Sequence, residues 1–138
     1  MKKYIIDTNA LISFLTDRNP DQQERITAIF EESAILKAQV FCPQNVLTEL
    51  VHVMEKVYGV SKGDINGILR DFIDTPGINL VHEIDVPELL AMWPVKILDY
   101  GDAIVAATSK NIPGSVVATF DRRFRVSLKK IGVPVIPL

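Results

Sequence analysis

The stretch over residues 3–15, KYIIDTNALISFL, decides how this chain is expected to fold. Its opening KYII contains the short apolar run YII and predicts a β-strand. Asp7, Thr8 and Asn9 come directly after that run, and all three are residue types that cap helices. The apolar ALISFL that follows predicts a helix, and a strand that leads straight into a helix is typical of an α/β domain.

The remaining sequence repeats this alternation of short apolar runs and longer helical patterns. Further strands are predicted over residues 39–41, 78–81, 116–120 and 133–136. Further helices are predicted over residues 21–33, 43–58, 61–74, 88–92, 99–111 and 121–130. In the helix over 43–58, Pro43 is expected in the first turn. The buried stripe of that helix is expected to contain Val46, Leu50, Val53 and Val57. The pattern predicts one α/β domain over residues 1–138, with a largely parallel sheet flanked by helices.

Composition limits the class of protein further. Hydrophobic residues make up 48% of the 138 residues and charged residues 23%, which is ordinary for a globular chain. The single cysteine, Cys42, allows no intrachain disulfide and fits a reducing cytoplasm. The N-terminal apolar run ends at Asp7, too early for a secretion signal, and no run of about 18 apolar residues predicts a membrane helix. A net charge of −2 excludes a generally basic nucleic-acid coat and leaves room for a local basic patch. We therefore expect a cytoplasmic protein without membrane association.

Four acids are candidates for chemistry, namely Asp7, Glu49, Asp102 and Asp121. Each has a purely structural explanation when it is considered alone. Asp7 and Asp121 follow predicted strands and suit helix caps. Asp102 forms a capping pair with Asp99, which stands three residues before it. Glu49 lies at the margin of an apolar helix stripe, where a solvated glutamate is usual.

The combined placement of these acids favours a shared site. Asp7 and Asp121 both follow apolar strands, so in a parallel sheet both lie at its carboxyl edge, where open α/β sheets bind ligands. Asp102 opens a helix that is too apolar to lie on the surface, so its carboxylate is expected to point toward the same edge. Carboxylates that gather within a few ångströms repel one another unless a cation joins them. Oxygen ligands suit Mg²⁺ or Mn²⁺, and the pattern therefore predicts one of these ions rather than zinc.

Other residue types with catalytic potential form no comparable arrangement. His52 and His82 have no histidine or cysteine at metal-ligand spacing and are expected to be structural or surface residues. Cys42 is expected to be a small buried hydrophobe. The sequence contains no P-loop and no G-x-G-x-x-G motif, and no serine nucleophile motif such as G-x-S-x-G is expected.

Four motifs occur in an order that resembles one known family. They are YIIDTNALISFL at residues 4–15, NVLTELVHV at 45–53, YGDAIVAAT at 100–108 and VVATFDRRF at 116–124. Together with the closing VPVIPL at 133–138, they resemble the PIN-domain family, and within it the VapC-type toxins of toxin–antitoxin pairs. The resemblance covers the chain end to end, and four ordered motifs are far more specific than any one of them.

The resemblance implies a parallel sheet of about five strands between helices, with acids converging at one end. It implies an endoribonuclease that cleaves RNA phosphodiesters with Mg²⁺ or Mn²⁺ and a metal-activated water, and it implies a small antitoxin partner and a homodimer. Asp7 and Asp102 take the places of the main metal ligands. Glu49 and Asp121 take the places of groups that ligate a second cation or hold metal-bound water.

The resemblance also suggests residues around these acids. Asn9 and Thr119 take the places of hydrogen-bond partners that orient the carboxylates. Asp99 falls outside the strict pattern and is interpreted as a helix cap.

The basic run RRFRVSLKK at residues 122–130 has two interpretations that the sequence leaves open. It is either a solvated helix face or a phosphate-binding surface that anchors RNA next to the acids. In the second case Arg122, Arg123 and Arg125 are the candidate contacts to RNA phosphates.

Two alternatives would use a similar fold for another purpose. A catalytically inactive PIN-fold binding or scaffold module would need no acids, although all four are present. A receiver-like phosphoacceptor domain needs an aspartate after its middle strand, and the strand expected in the middle ends at Cys42 and Pro43. The sequence therefore favours the metal-dependent ribonuclease.

Overall fold

The apolar runs form five short parallel strands in the computed structural model, which describes residues 1–137. The strands are β1 Lys2–Ile6, β2 Ala38–Pro43, β3 Ile78–Val81, β4 Ser115–Thr119 and β5 Val135–Pro137. Their order across the sheet is β3-β2-β1-β4-β5, and every neighbouring pair is parallel. The predicted fold class is confirmed, and Leu138, the last residue of the predicted domain, lies outside the described residues.

Seven helices within the described residues connect these strands, as parallel pairing requires. They are α1 Thr8–Leu15, α2 Pro20–Ala34, α3 Gln44–Lys56, α4 Lys62–Asp74, α5 Val86–Met92, α6 Tyr100–Asn111 and α7 Arg122–Lys130. As predicted, α6 is buried on most sides, from Ala103 to Ser109. None of the helices within residues 1–137 combines the length and the apolar character needed to cross a bilayer.

The core surrounds β1 on both faces of the sheet. Ile5 and Ile6 are fully buried although successive strand residues point to opposite faces. A strand that is covered on both sides reads as a continuous apolar run, which explains why KYII does not alternate with polar residues.

Two details of the third helix, α3, differ from the prediction. Pro43 is the last residue of β2 and the N-cap of α3, so it does not lie in the first turn of the helix. Val57 is 71% exposed because α3 ends one residue earlier, and Met54 is buried in its place.

The middle strand of the sheet is β1, and the expectation that it ends at Cys42 and Pro43 was wrong. Strand order in a parallel sheet depends on where each connecting helix packs, so it does not follow chain order. The central strand leads into Asp7, so an aspartate does follow the middle strand. The argument against a receiver-like domain that relied on its absence therefore does not hold.

Residues 59–63, GVSKG, match the letters of G-x-S-x-G, which in α/β hydrolases places a serine nucleophile between a strand and a helix. Here the segment connects two helices, α3 and α4. The Ser61 hydroxyl accepts a hydrogen bond from the backbone N–H of Asp64 at 3.1 Å and caps α4. The expectation that the sequence lacks these letters was therefore wrong, although residues 59–63 do not have the strand-to-helix turn that the motif requires.

The core predicts a contrast between two positions of α7. Leu128 is fully buried, while Val126 on the same helix is 52% exposed. Leu128→Ala is expected to lower the free energy of unfolding by about 2 to 5 kcal/mol, because it removes buried methyl groups and leaves a cavity. Val126→Ala, the matched control, is expected to change it by less than about 1 kcal/mol. Urea denaturation measures both, and equal losses would contradict this packing of α7.

Candidate functional site

The sheet topology opens a crevice between β1 and β4. After β1 the chain continues to β2 and β3 on one side, whereas β4 leads to β5 on the other. Connections that leave in opposite directions create a gap at the carboxyl ends of the two strands, where open α/β sheets bind ligands. Asp7 follows β1 directly, and Asp121 follows β4 with one residue between them. Both aspartates therefore lie at this gap, as the sequence predicted.

Asp7 is the most deeply buried of the four candidate acids, with 4% of its surface exposed. Its Oδ1 atom accepts a hydrogen bond from the backbone N–H of Ala10 at 2.9 Å, so the side chain caps α1. Its Oδ2 atom accepts a short hydrogen bond from the Thr119 hydroxyl at the end of β4. The carboxylate is therefore held from both strands of the crevice.

Thr119 links two of the acids. Its side chain is fully buried, and its oxygen also accepts a hydrogen bond from the backbone N–H of Asp121 at 3.1 Å. Asp121 in turn caps α7, because its Oδ1 atom accepts from the backbone N–H of Phe124 at 3.1 Å. The structure places Thr119 where a residue that orients carboxylates is expected.

Asp102 reaches the site from the first turn of α6 and is partly buried there. Asp99 is the N-cap of this helix, and its Oδ1 atom accepts a hydrogen bond from the backbone N–H of Asp102 at 2.9 Å. The interpretation of Asp99 as a helix cap is confirmed.

Glu49 reaches the site from α3 and is held between two residues. The Thr8 hydroxyl donates a hydrogen bond to Oε2 of Glu49 at 2.5 Å. Gly101 lies against the other oxygen, since a Cβ atom at this glycine would overlap Oε1 of Glu49. Sequence reasoning missed both neighbours. Two signals could have identified them. Thr8 stands inside the D-T-N motif, and Gly101 is a poor helix former in the first turn of a helix.

All four candidate acids line one cavity of about 900 Å³. Its lining includes further polar side chains from the same end of the sheet, namely Thr8, Asn9, Thr48, His52, Asp99, Arg123 and Ser127. Arg123 is thus beside the acids, while Arg122 and Arg125 lie on α7 outside this lining. The Asn9 side chain is exposed and donates no hydrogen bond to a carboxylate within residues 1–137.

His52 is exposed, as predicted, and it also lies in the lining of the cavity. It stands three residues after Glu49, so both project from the same face of α3. His82 is exposed elsewhere, with its Nδ1 atom 3.0 Å from Oε1 of Gln44. Helical spacing from Glu49 was the signal that could have placed His52 at the site.

Burial raises the pKa of Asp7 to about 6. The charge of Asp121 acts in the same direction, while the hydrogen bonds from Thr119 and Ala10 favour the ionised form and oppose the change.

The pKa of Asp102 is raised to about 7, first by burial and then by the charges of Asp99, Asp7, Asp121 and Glu49. None of the ion pairs within residues 1–137 involves any of these acids. The cavity therefore concentrates negative charge that no ion pair of the described residues neutralises.

The donor atoms of the four acids fit a hard divalent cation, because they are all carboxylate oxygens. Among residues 1–137, no three histidine, cysteine, aspartate or glutamate side chains are close enough to hold one ion directly. Mg²⁺ keeps several of its waters and takes only one or two carboxylates directly, so it does not require such a group. The arrangement is poorly suited to zinc, which requires a tight shell of about four ligands.

Comparison with known proteins identifies the family that the motifs resemble. The PIN domain family model matches residues 4–127. A VapC ribonuclease from Aquifex aeolicus (strain VF5) is 25% identical over 128 residues, which cover 93% of this chain and 91% of that protein. The match to the PIN domain family model, rather than the position of the middle strand, decides against a receiver-like domain.

Solved structures share the fold at low sequence identity. VapBC-1 from nontypeable Haemophilus influenzae has a TM-score of 0.66 at 11% identity, over 98% of this chain and 97% of that chain. VapBC2 from Rickettsia felis, solved with a DNA fragment from their promoter, has a TM-score of 0.63 at 14% identity, over 98% of both chains. Because the PIN domain family model matches residues 4–127, which is most of its length, this chain belongs to the PIN domain family.

Proposed function

We propose that this chain is an endoribonuclease that depends on Mg²⁺ or Mn²⁺, and that it is the toxin of a toxin–antitoxin pair. One observation carries the proposal: four carboxylates line a single cavity at the carboxyl ends of β1 and β4, and no ion pair of residues 1–137 neutralises them. A divalent cation with a phosphodiester as its further ligand suits such a cavity. Similarity to a VapC ribonuclease along most of both chains supports the same activity.

The four acids divide into two pairs in this proposal. Asp7 and Asp102 hold the cation directly, and Glu49 and Asp121 hold a second cation or metal-bound water. When bound, the cation lowers the pKa of a coordinated water and stabilises negative charge on the attacked phosphate. The contribution of the protein is positioning, and the buried hydroxyl of Thr119 keeps the Asp7 carboxylate in one orientation.

Positive charge is needed beside the acids because they repel an RNA backbone. Arg123 lines the cavity with the acids and is a proposed phosphate contact, while Arg122 and Arg125 extend the basic surface along α7. Asn9 lies at the wall of the cavity, where it can contact either a carboxylate or the substrate.

The proposed partner is a small antitoxin protein, the proposed assembly is a homodimer, and the proposed compartment is the cytoplasm. The likeness in fold to VapBC-1 and VapBC2 supports the antitoxin. The homodimer and the compartment rest on the family resemblance and on the single cysteine.

The first test of the proposal is metal-dependent cleavage of RNA. The purified chain is expected to cleave a mixture of structured RNAs with Mn²⁺ or Mg²⁺ and to lose this activity in EDTA. Asp7→Asn combined with Asp102→Asn is expected to lower cleavage more than about 100-fold, since even the hydrogen-bond partners of metal ligands contribute about 10- to 100-fold. Asp64→Asn, at an exposed acid of α4, is the matched control and should cleave normally.

Cleavage that survives EDTA or the double substitution would sink the carboxylate mechanism. A chain that binds Mn²⁺ but cuts no RNA would instead favour the scaffold alternative. Expression in host cells tests the toxin: growth arrest by the wild type, and none by the double variant, is the expected result.

The raised pKa values predict how stability changes with pH in the absence of divalent cations. The unfolded chain releases these protons near pH 4, at an aspartate pKa of about 3.9, whereas the native state holds them until about pH 6 at Asp7 and about pH 7 at Asp102. Between these values the native state binds more protons, so the free energy of unfolding falls as the pH rises. Asp7→Asn removes the part of this fall in unfolding free energy that the Asp7 carboxyl causes, about 3 kcal/mol by pH 7. Urea denaturation in EDTA over this pH range measures the slope, and the same slope in wild type and Asp7→Asn would contradict the burial of a carboxyl group there.

The close contact at Gly101 predicts a loss of activity without a loss of fold. A methyl group in Gly101→Ala would overlap the flexible end of Glu49, which must leave its present position between Thr8 and residue 101. Cleavage is expected to fall about 10- to 100-fold while the midpoint of urea unfolding stays near that of the wild type. Gly67→Ala, in α4 with open space around it, is the matched control. Unchanged cleavage by Gly101→Ala would mean that Glu49 has no part in the reaction.

A further inference from the structure

A second cavity adjoins the carboxylate cavity and shares two residues with it. It has a volume of about 410 Å³ and is lined by Asn9, Arg18, Asn19, Gln22, Phe120 and Asp121. Asn9 and Asp121 also line the larger cavity, so a ligand that extends past these two residues reaches both.

Arg18 is held in this second cavity by one edge of its guanidinium group. Its Nη2 atom donates to the backbone carbonyl of Asn9 at 3.0 Å and to the hydroxyl of Ser13 at 3.0 Å, and its Nε atom donates to the same hydroxyl at 3.3 Å. Ser13 is fully buried. Arg18 takes part in none of the ion pairs within residues 1–137, and its Nη1 atom donates to no group of those residues. A fixed positive charge thus keeps one edge available to a ligand.

The amide side chains of Asn19 and Gln22 direct their oxygens into the protein and offer NH₂ donors beside Arg18. The Oδ1 atom of Asn19 accepts from the backbone N–H of Gln22 at 3.0 Å as the cap of α2. The Ser13 hydroxyl accepts from Arg18, so its own hydrogen is donated to Oε1 of Gln22 at 2.8 Å. Both amide oxygens are therefore engaged within the protein, and the NH₂ groups remain.

We propose that this second cavity binds a phosphate group of the RNA strand, next to the phosphate that lies in the carboxylate cavity. The inference rests on the proposed function. A planar guanidinium and NH₂ donors match phosphate oxygens, which accept several hydrogen bonds at once. Asp121 is the one acid in this lining and belongs to the cation-binding group, and the partly buried ring of Phe120 provides a face on which an RNA base can stack.

The test compares variants in binding of a short fluorescein-labelled single-stranded RNA of mixed sequence, measured by fluorescence anisotropy in EDTA over a range of salt concentrations. Arg18→Ala is expected to weaken binding about tenfold and to reduce the slope of log K against log salt by about 0.7, the share of one phosphate contact. Arg25→Ala, at an exposed arginine of α2 that pairs with Asp21, is the matched control and should leave the slope unchanged.

A second variant covers the case in which Arg18→Ala disturbs the loop around Ser13. Asn19→Asp keeps the oxygen that caps α2 but replaces the NH₂ donor with negative charge. It is expected to weaken RNA binding and to lower the slope of log K against log salt. The midpoint of urea unfolding is expected to stay unchanged. Wild-type affinity and slope in both variants would overturn the proposal.

Cleavage measured in parallel with Mn²⁺ separates the two proposals. Cleavage by the wild type with unchanged RNA binding in Arg18→Ala and Asn19→Asp overturns the second cavity and leaves the ribonuclease intact. Binding of RNA that depends on Arg18, without any cleavage, supports the phosphate site and overturns the ribonuclease.

Discussion

The hydrogen bond from the Thr119 hydroxyl to Asp7 is the contact on which the candidate site depends. It joins the ends of β1 and β4, which are neighbours in the sheet although the two residues stand 112 positions apart in the chain. Burial disfavours the charged form of Asp7, and this hydrogen bond works in the opposite direction. The strand pairing thus produces a carboxylate that is both fixed in orientation and easily stabilised by a cation.

The same crevice divides its chemistry between two neighbouring cavities. One gathers carboxylates, and the other gathers N–H donors around Arg18, with Asn9 and Asp121 shared between them. In the proposed function, an RNA backbone presents the same phosphate group repeatedly and only one of these groups would be cut. A cation beside the acids and a fixed guanidinium beside the amides would treat adjacent phosphates differently, as a nuclease requires.

Strands and helix caps could be predicted because their signals act over a few residues. Tyr4, Ile5 and Ile6 are all apolar since this part of β1 is covered on both faces. Three aspartates each accept a hydrogen bond from a backbone N–H three residues later, namely Asp7, Asp99 and Asp121. The wrong expectations concerned features that do not depend on a few neighbouring residues alone. The order of the strands depends on helix packing, and the exposure of Val57 depends on where α3 ends.

The sequence by itself determined the α/β class, the strand-to-helix position of Asp7 and Asp121, and the presence of four acids in family order. Periodicity and capping decide these features locally, through hydrogen bonds and apolar spacing within a single element. Only the tertiary structure decided that Thr8 and Gly101 confine Glu49, that His52 lines the cavity, and that Arg18 lies beside the acids. These contacts join α3, α6 and the turn after α1 to one edge of the sheet, and such proximity arises from the packing of whole elements around a shared core.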